Sequence, residues 1–546
     1  MLSEEIKKFF KGEVRDDKET LATYSCDASI FEIKPEVVVF PQDSEDIKGL
    51  VKFVADAKKV GRNISLTPRS GGTDMTGGPL SESIVLDMTA HFNQIHEIGA
   101  DFAVVDPGVY YRDLDKETKR RDLFMPAYPA SRELCTVGGM VANNSGGEKT
   151  LAYGKVERHI LELNMVLEDG NEYVIKALTK QELDIKMKLP TFEGEVYKKL
   201  YELFTKNQKL IESARPKVTK NSAGYYLWNV MHDELFDLPK LMVGSQGTFG
   251  IITKVKFNLV PVKKFTKLAV IYMKDIARLG EIVASLAPLT PSSLEAYDHN
   301  TLRLAMRFFP DMIKAFKTSL WTAVRSFAPG MWQVLTHGMP KMVILAEFEG
   351  DSDEELDQKL AEVAKRMQAF NLNTTLTKTP EETRSYWTVR RESFSLLRKH
   401  IKDKHTAAFI DDIAVRPEQL PDFLPRLNQV LAPYKLVLTV VGHAGDGNFH
   451  VIPLMNLENQ ADRAIIPKLS EEVYNLVAEF HGSITAEHND GLIRTPYLSK
   501  MYSPEVLVLF LEVKKIFDPL NIFNPGKKVN GSLPYALSHI KKSYVN

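Results

Sequence analysis

The sequence is short of cysteine, of long apolar runs and of net charge, and each shortage closes off a class of protein. Only Cys26 and Cys135 occur in 546 residues. Two thiols cannot build a disulfide framework, a four-cysteine zinc site or a cysteine-ligated iron–sulfur cluster, and they suit a reducing compartment. The apolar stretch at 506–513, VLVLFLEV, is far shorter than the ~18 residues a spanning helix needs. The N-terminal MLSEEIKKFFKGEVRDDKET mixes both charge signs with no apolar stretch, so no secretory signal is read there. With 70 Lys+Arg against 71 Asp+Glu, the formal charge is −1, which argues against a general nucleic-acid binder. Low-complexity segments and repeats are lacking too. The expectation is a cytoplasmic globular chain of two to four domains, resting at most on the inner face of a membrane.

What is present begins with a β-α-β pattern. A β-branched run at Val37–Phe40 ends at Pro41, and residues 44–59 read as an amphipathic helix with Ser44 placed to cap it. Strands at Ile64–Thr67 and Ser83–Leu86 flank a glycine-rich loop, Pro68-Arg69-Ser70-Gly71-Gly72-Thr73-Asp74 and on to Gly78. Such loops turn backbone N–H groups toward anionic oxygens. This one has neither the GK[ST] of a P-loop nor the GxGxxG of a dinucleotide fold, which argues against NAD. Two further glycine loops follow, at 138–147 and 244–250. Three loops over about 180 residues imply one elongated ligand touched by distant backbone. Beyond residue 262 the pattern changes: strands at Leu268–Met273, Met342–Glu349, Ala408–Val415 and Leu436–Val441 are separated by helices at 276–287, 353–370 and 466–481. A second, antiparallel α+β unit is expected there.

The densest chemistry lies at Gly442-His443-Ala444-Gly445-Asp446-Gly447-Asn448-Phe449-His450, followed by Ala486-Glu487-His488-Asn489-Asp490-Gly491. On one straight strand His443 and His450 would stand about 23 Å apart on opposite faces. The Gly-Asp-Gly between them permits a hairpin that brings the imidazoles together. Two histidines and Glu487 make a common ligand set for zinc, manganese or ferrous iron.

Together the RSGGT loop, the segment TVGGMVANNSGG (136–147), GSQGTFGIIT (244–253) and the tail FDPLNIFNPGK (517–527) resemble the FAD-linked oxidase family of vanillyl-alcohol-oxidase-type flavoproteins. The nearest branch holds D-lactate, glycolate and D-2-hydroxyglutarate dehydrogenases. The resemblance implies an α+β fold with a two-part PCMH-type FAD-binding domain and an antiparallel-sheet substrate domain covered by helices. Its boundaries would be an N-terminal extension at 1–34, the FAD-binding domain at 35–262, the substrate and metal domain at 263–495 and a C-terminal segment at 496–546 that returns to the flavin site. It implies FAD held by Pro68, Arg69, Ser70, Gly71, Gly72, Thr73 and Asp74, then Pro129, Ser131 and Thr136 near the pyrophosphate. Gly138, Gly139, Asn143, Ser145, Gly146, Gly247, Ile252 and Asn524 complete that set. Some relatives attach FAD covalently through His or Cys; no residue here invites that, and noncovalent binding is expected. His443, His450 and Glu487 would bind the divalent metal and His488 would be the general base, with hydride passing from C2 to flavin N5. Asn448 would orient substrate or a ligand.

A carboxylate substrate needs a fixed cation, and Trp387-Thr388-Val389-Arg390-Arg391-Glu392 resembles the family's WxxRE segment. Spacing from Trp387 favours Arg390, and adjacency to Glu392 favours Arg391. Ile410 stands where relatives acting on dicarboxylates place a lysine, which weakens a 2-hydroxyglutarate-like assignment. The expected function is oxidation of a D-2-hydroxyacid, D-lactate-like, with electrons passed to a quinone or a protein acceptor. Alternatives are a non-redox flavin transferase like the alkylglycerone-phosphate synthases of this family, or the flavin subunit of a larger complex. The stretch 302–342 stands apart, with six cations (Arg303, Arg307, Lys314, Lys317, Arg325, Lys341) against Asp311. Ile313, Phe316, Leu320, Val324 and Phe327 are expected on one helical face with Trp321 and Trp332 nearby, a pattern suited to a membrane surface.

Overall fold

A computed structural model of the chain describes residues 1–315, 320–400 and 404–543. Its first sheet is four-stranded: β1 (Glu13–Arg15), β2 (Val37–Phe40), β3 (Leu66–Arg69) and β4 (Ile84–Asp87), in the order β1-β2-β4-β3. β4 pairs in parallel with both β2 and β3, and α1 (Ser44–Lys59) makes the crossover. Ile47, Leu50, Val51 and Val54 bury one stripe of α1 because they recur at helical spacing. Its cap is Asp43, not Ser44: the Asp43 carboxylate accepts the N–H of Asp46, so the helix begins at Ser44 rather than after it. β3 runs two residues further than the β-branched pattern suggests, which puts Pro68 and Arg69 in the strand and starts the loop at Ser70.

The second sheet is antiparallel along its length. It contains β5 (Ile95–Ile98), β6 (Phe102–Val105), β7 (Ile160–Val166), β8 (Glu172–Thr179), β9 (Met231–His232), β10 (Leu235–Asp237) and β11 (Ile251–Asn258), in the order β9-β10-β8-β7-β11-β6-β5. Between β6 and β7 lies α2 (Val137–Asn143), made from the second glycine segment.

The third sheet holds β12 (Phe265–Met273), β13 (Ser293–Asp298), β14 (Met342–Gly350), β15 (Asn373–Leu376), β16 (His405–Thr406), β17 (Ile413–Ala414), β18 (Val437–His443) and β19 (Asn448–Met455). Its order is β15-β12-β14-β13-β18-β19-β16, with β17 also on β19, and every pairing is antiparallel. Helices α3 (His299–Arg307), α4 (Phe309–Ala315), α5 (Leu320–His337), α6 (Asp353–Ala369), α7 (Pro380–His400), α8 (Leu420–Leu431) and α9 (Gln460–Glu479) follow or separate these strands. α10 (Pro504–Phe517) precedes the C-terminal segment.

Two expectations for this half need correcting. The apolar run at 408–415 is not one strand: only Ile413–Ala414 pairs, and Asp411 and Asp412 are turned inward as fully buried acceptors. Their carboxylates are satisfied by side chains and loop N–H groups, which a sheet ladder could not offer. The basic stretch 302–342 is not one amphipathic face either. Its described residues form three helices, and Phe327 packs edge-on against Phe309 in a cluster with Tyr386 and Trp387, while Val324 faces outward. Phe316 and Lys317 lie outside the described residues.

Candidate active site

The three glycine loops line one cavity of about 850 Å³. Residues 68–74, Pro129, Ser131, Thr136, Gly138, Gly139, Asn143, Ser145, Gly146, Gly247 and Ile252 all face it. Such a long, glycine-walled cleft fits an extended dinucleotide whose phosphates need backbone donors rather than bulky side chains. Asn524 does not reach the cavity wall. It is buried behind it, donating to Gly78 O and Gln246 O while its Oδ1 accepts from Thr67 Oγ1 at 3.1 Å, so it ties two of the loops to β3. Arg69 lines the cavity but directs Nη1 and Nη2 to the carbonyls of Tyr24 and Cys26, fastening the N-terminal extension across the loop.

The same cavity receives His443, His450, Glu487, His488, Arg390 and Arg391. The hairpin that the Gly-Asp-Gly permits is there: β18 and β19 pair Val441 with His450, and a tight turn over Ala444–Asp446 reverses the chain. Gly447 sits at φ +65°, and a Cβ there would lie 1.9 Å from Val415 O. The two imidazole centroids are 5.3 Å apart, and the His488 ring stacks on His450 at 5.1 Å and 18°. Nitrogen or oxygen atoms of His443, His450 and Glu487 all lie within 4.8 Å of one another. This donor set suits a divalent ion. His443 Nδ1 is engaged by Glu295 Oε1 at 2.5 Å and His450 Nδ1 by Asp411 O at 3.0 Å, leaving each Nε2 for a ligand.

Electrostatics separates the imidazoles. Burial, with His488 and His443 beside it, pushes His450 down to about 4, so it is neutral and able to ligate. Burial opposes protonation of His443, but Glu295 raises it to about 9, so a divalent ion binding there would have to displace a proton from this ring. For His488 burial is likewise outweighed, here by Asp412 and Asp411, and it rises to about 9. Asp411 Oδ2 meets His488 Nδ1 at 2.9 Å and its other oxygen meets the fully buried Arg494, which fixes the ring and leaves its far nitrogen unspent.

Asn448 is not at the cavity. It is fully buried and donates to Asp412 Oδ1 and Ile413 O, because the turn swings the start of β19 inward. The arginines are both paired: Arg390 with Glu295 at 3.0 Å, and Arg391 with Glu148 at 2.5 Å, over the Trp387 ring. Ile410 is fully buried in the core and so takes no part in the cavity lining. Sequence reasoning missed Glu295, Asp411, Asp412 and Lys220. An Asp-Asp pair inside an apolar run was a legible signal; nothing around Glu295 or Lys220 sets them apart from surface residues.

Solved flavoproteins share this architecture. The chain superposes on 4-ethylphenol oxidase from Gulosibacter chungangensis with a TM-score of 0.68 at 17% identity, over 96% of this chain and 95% of that one. An alkyldihydroxyacetonephosphate synthase gives 0.65 at 15%, over 96% and 84%. These likenesses define a PCMH-type flavoprotein fold. Residues 35–176 match the family model described as "FAD binding domain" and 262–528 that described as "FAD linked oxidases, C-terminal domain". The chain belongs to the FAD-linked oxidase family.

Among curated relatives, D-2-hydroxyglutarate dehydrogenase of Pseudomonas putida is 29% identical over 95% of this chain and 50% of its own length. The chain spans about half the length of the first such relatives. Glycolate oxidase subunit GlcD of Bacillus subtilis is 26% identical over 92% of this chain and 91% of its own length. D-lactate dehydrogenase of Archaeoglobus fulgidus is 26% identical over 90% and 91%.

Proposed function

We propose that the protein is an FAD-dependent dehydrogenase that oxidises a D-2-hydroxyacid to the 2-oxoacid. The observation that carries this is the convergence of His443, His450, Glu487 and His488 in the cavity lined by the three glycine loops. Bound FAD supplies the acceptor for the hydride leaving C2, and a zinc, manganese or ferrous ion on His443, His450 and Glu487 supplies acidification of the C2 hydroxyl. His488, oriented through Nδ1 by Asp411, takes the hydroxyl proton at its other nitrogen when its ring is neutral, a form whose share grows as pH rises toward about 9. Arg390 and Arg391 supply the cation for the substrate carboxylate, with Arg390 favoured because Glu295 joins it to His443. Asn448 holds Asp412, and through it the Glu487–His488 loop.

A quinone or a protein would be the acceptor for the electrons that bound flavin takes up. Anaerobic addition of D- and L-2-hydroxyacids tests this reading. A D-enantiomer should bleach the flavin near 450 nm, with the 2-oxoacid formed in equal amount. A protein loaded with FAD and metal that no 2-hydroxyacid bleaches would overturn it and favour a non-redox transferase or a flavin subunit that draws its electrons elsewhere.

A second reading concerns where the protein works. Among the described residues no helix is long and apolar enough to cross a membrane. The outward face of α5, however, shows Trp321 (78% exposed), Trp332 (68%) and Leu335 (76%), with Met331 between them. Arg303, Arg307 and Arg325 are exposed on the same segment. Exposed aromatic and aliphatic side chains on a segment that also exposes cations fit the headgroup boundary of an anionic lipid surface.

A further inference from the structure

Lys220 is fully buried and its ammonium sits where the parts of the candidate site join. Nζ lies 2.5 Å from Glu487 Oε1 and 3.1 Å from Asp446 Oδ2. Asp446 belongs to the turn between the strands carrying His443 and His450, and Glu487 lies in the loop after α9. A single cation therefore spans the two segments that supply the three donor groups. It is also 3.5 Å from Gly147 O in the second glycine loop, and a Cβ on neighbouring Gly146 would lie 2.9 Å from Glu487 Oε1. The carboxylate is thus held by an ammonium on one side and walled by cofactor-loop backbone on the other.

Burying an ammonium is costly unless carboxylates pair with it, and here two do. Lys155 and Lys528 grip the flanks of the same loop: Lys155 Nζ donates to Ala486 O at 2.6 Å and Lys528 Nζ lies 2.7 Å from Asp490 Oδ2. Neither reaches Glu487 by hydrogen bond, so direct hold on the carboxylate falls to Lys220, with His443 Nε2 3.6 Å from the same oxygen. Sequence alone gave no hint of this, since Lys220 stands in an ordinary polar stretch, VTKNS.

We propose that Lys220 is a positioning residue: by bridging Glu487 to Asp446 it sets the spacing between the histidine hairpin and the Glu487 loop, and with it the affinity of the site for a divalent cation. This rests on the metal reading above. Outer partners of metal ligands typically change affinity 10–100-fold when removed.

The test is a competition titration of FAD-loaded protein with Zn²⁺ or Mn²⁺ alone against a chromogenic chelator, alongside flavin content and thermal melting. Lys220→Met should raise the dissociation constant about 10–100-fold while flavin content stays at the wild-type level. Asp446→Asn, which cuts the bridge but leaves Lys220 paired with Glu487, should raise it by a smaller factor and decides the matter if Lys220→Met does not fold. Unchanged or tighter binding in the variants that fold, with a wild-type site that His443→Ala abolishes, overturns the role of Lys220 alone. A wild-type protein that takes up neither ion overturns the metal reading and this inference with it.

Discussion

The carboxylate of Asp412 accepts the backbone N–H of His488 at 2.7 Å, and the same oxygen accepts that of Glu487 at 2.8 Å. Thr485 Oγ1 donates to it as well, and Asn448 Nδ2 to its partner oxygen. One fully buried carboxylate from the middle of the chain therefore fixes the position of a metal-ligand candidate and a base candidate together. Hydrogen bonds to a charged group contribute about 1.5–3 kcal/mol each, and unsatisfied buried donors are costly. Asp412→Asn, which keeps one acceptor and loses the charge, should lower kcat by about 10–100-fold with flavin still bound. Steady-state kinetics beside the flavin spectrum checks it; full activity in the variant would remove Asp412 from the machinery.

The two arginines should separate by kinetics. Arg390→Lys keeps a cation but loses the fork that meets Glu295, and should raise KM for the acid and lower kcat/KM by about 10²-fold or more. Arg391→Lys should change kcat/KM by less than about 10-fold, because its partners are Glu148 and the Trp387 ring, whereas Arg390 is joined through Glu295 to His443. The reverse order would assign the substrate carboxylate to Arg391.

Gly447 is a backbone requirement of the histidine hairpin. At φ +65° a side chain is strained, and its Cβ would collide with Val415 O. Gly447→Ala should cost roughly 2 kcal/mol or more of stability and weaken metal uptake, read by thermal melting and metal analysis. A variant with wild-type melting and metal content would show that the turn relaxes freely.

Glu168 gives a pH effect away from the chemistry. Burial pushes its carboxyl up to about 7, partly offset by the N–H of Leu520. Its folded value lies above that of the unfolded chain, so its contribution to stability is full below about pH 4.5 and is lost as pH rises through about 7. Glu168→Gln should be more stable than wild type above pH 7 by on the order of 1 kcal/mol and should show no advantage near pH 4.5. Denaturant titrations at pH 4.5, 6 and 8 measure the difference, and equal gaps at all three would contradict the assignment.

The exposed face of α5 predicts sedimentation with anionic vesicles but not with zwitterionic ones. Replacing Trp321, Trp332 and Leu335 by serine should abolish cosedimentation and leave flavin reduction by the acid intact. Undiminished cosedimentation would leave that face without a role at lipid.

The sequence by itself determined the cofactor loops, the histidine hairpin and the sheet class. Glycine spacing and apolar periodicity are local properties, and backbone conformation follows from them directly. The helix at 44–59 needed only its own stripe of Ile47, Leu50, Val51 and Val54. Only the tertiary structure decided what surrounds the chemical centre. Glu295 faces His443 because β13 and β18 are sheet neighbours, and Lys220 meets Glu487 across 267 residues of chain. The pairing of Arg390 with Glu295 and the withdrawal of Asn448 and Asn524 from the cavity wall also depend on which elements pack together. Burial and partner choice are properties of the packed whole, since a lysine or an aspartate looks the same in sequence whether it faces water or a carboxylate in the core.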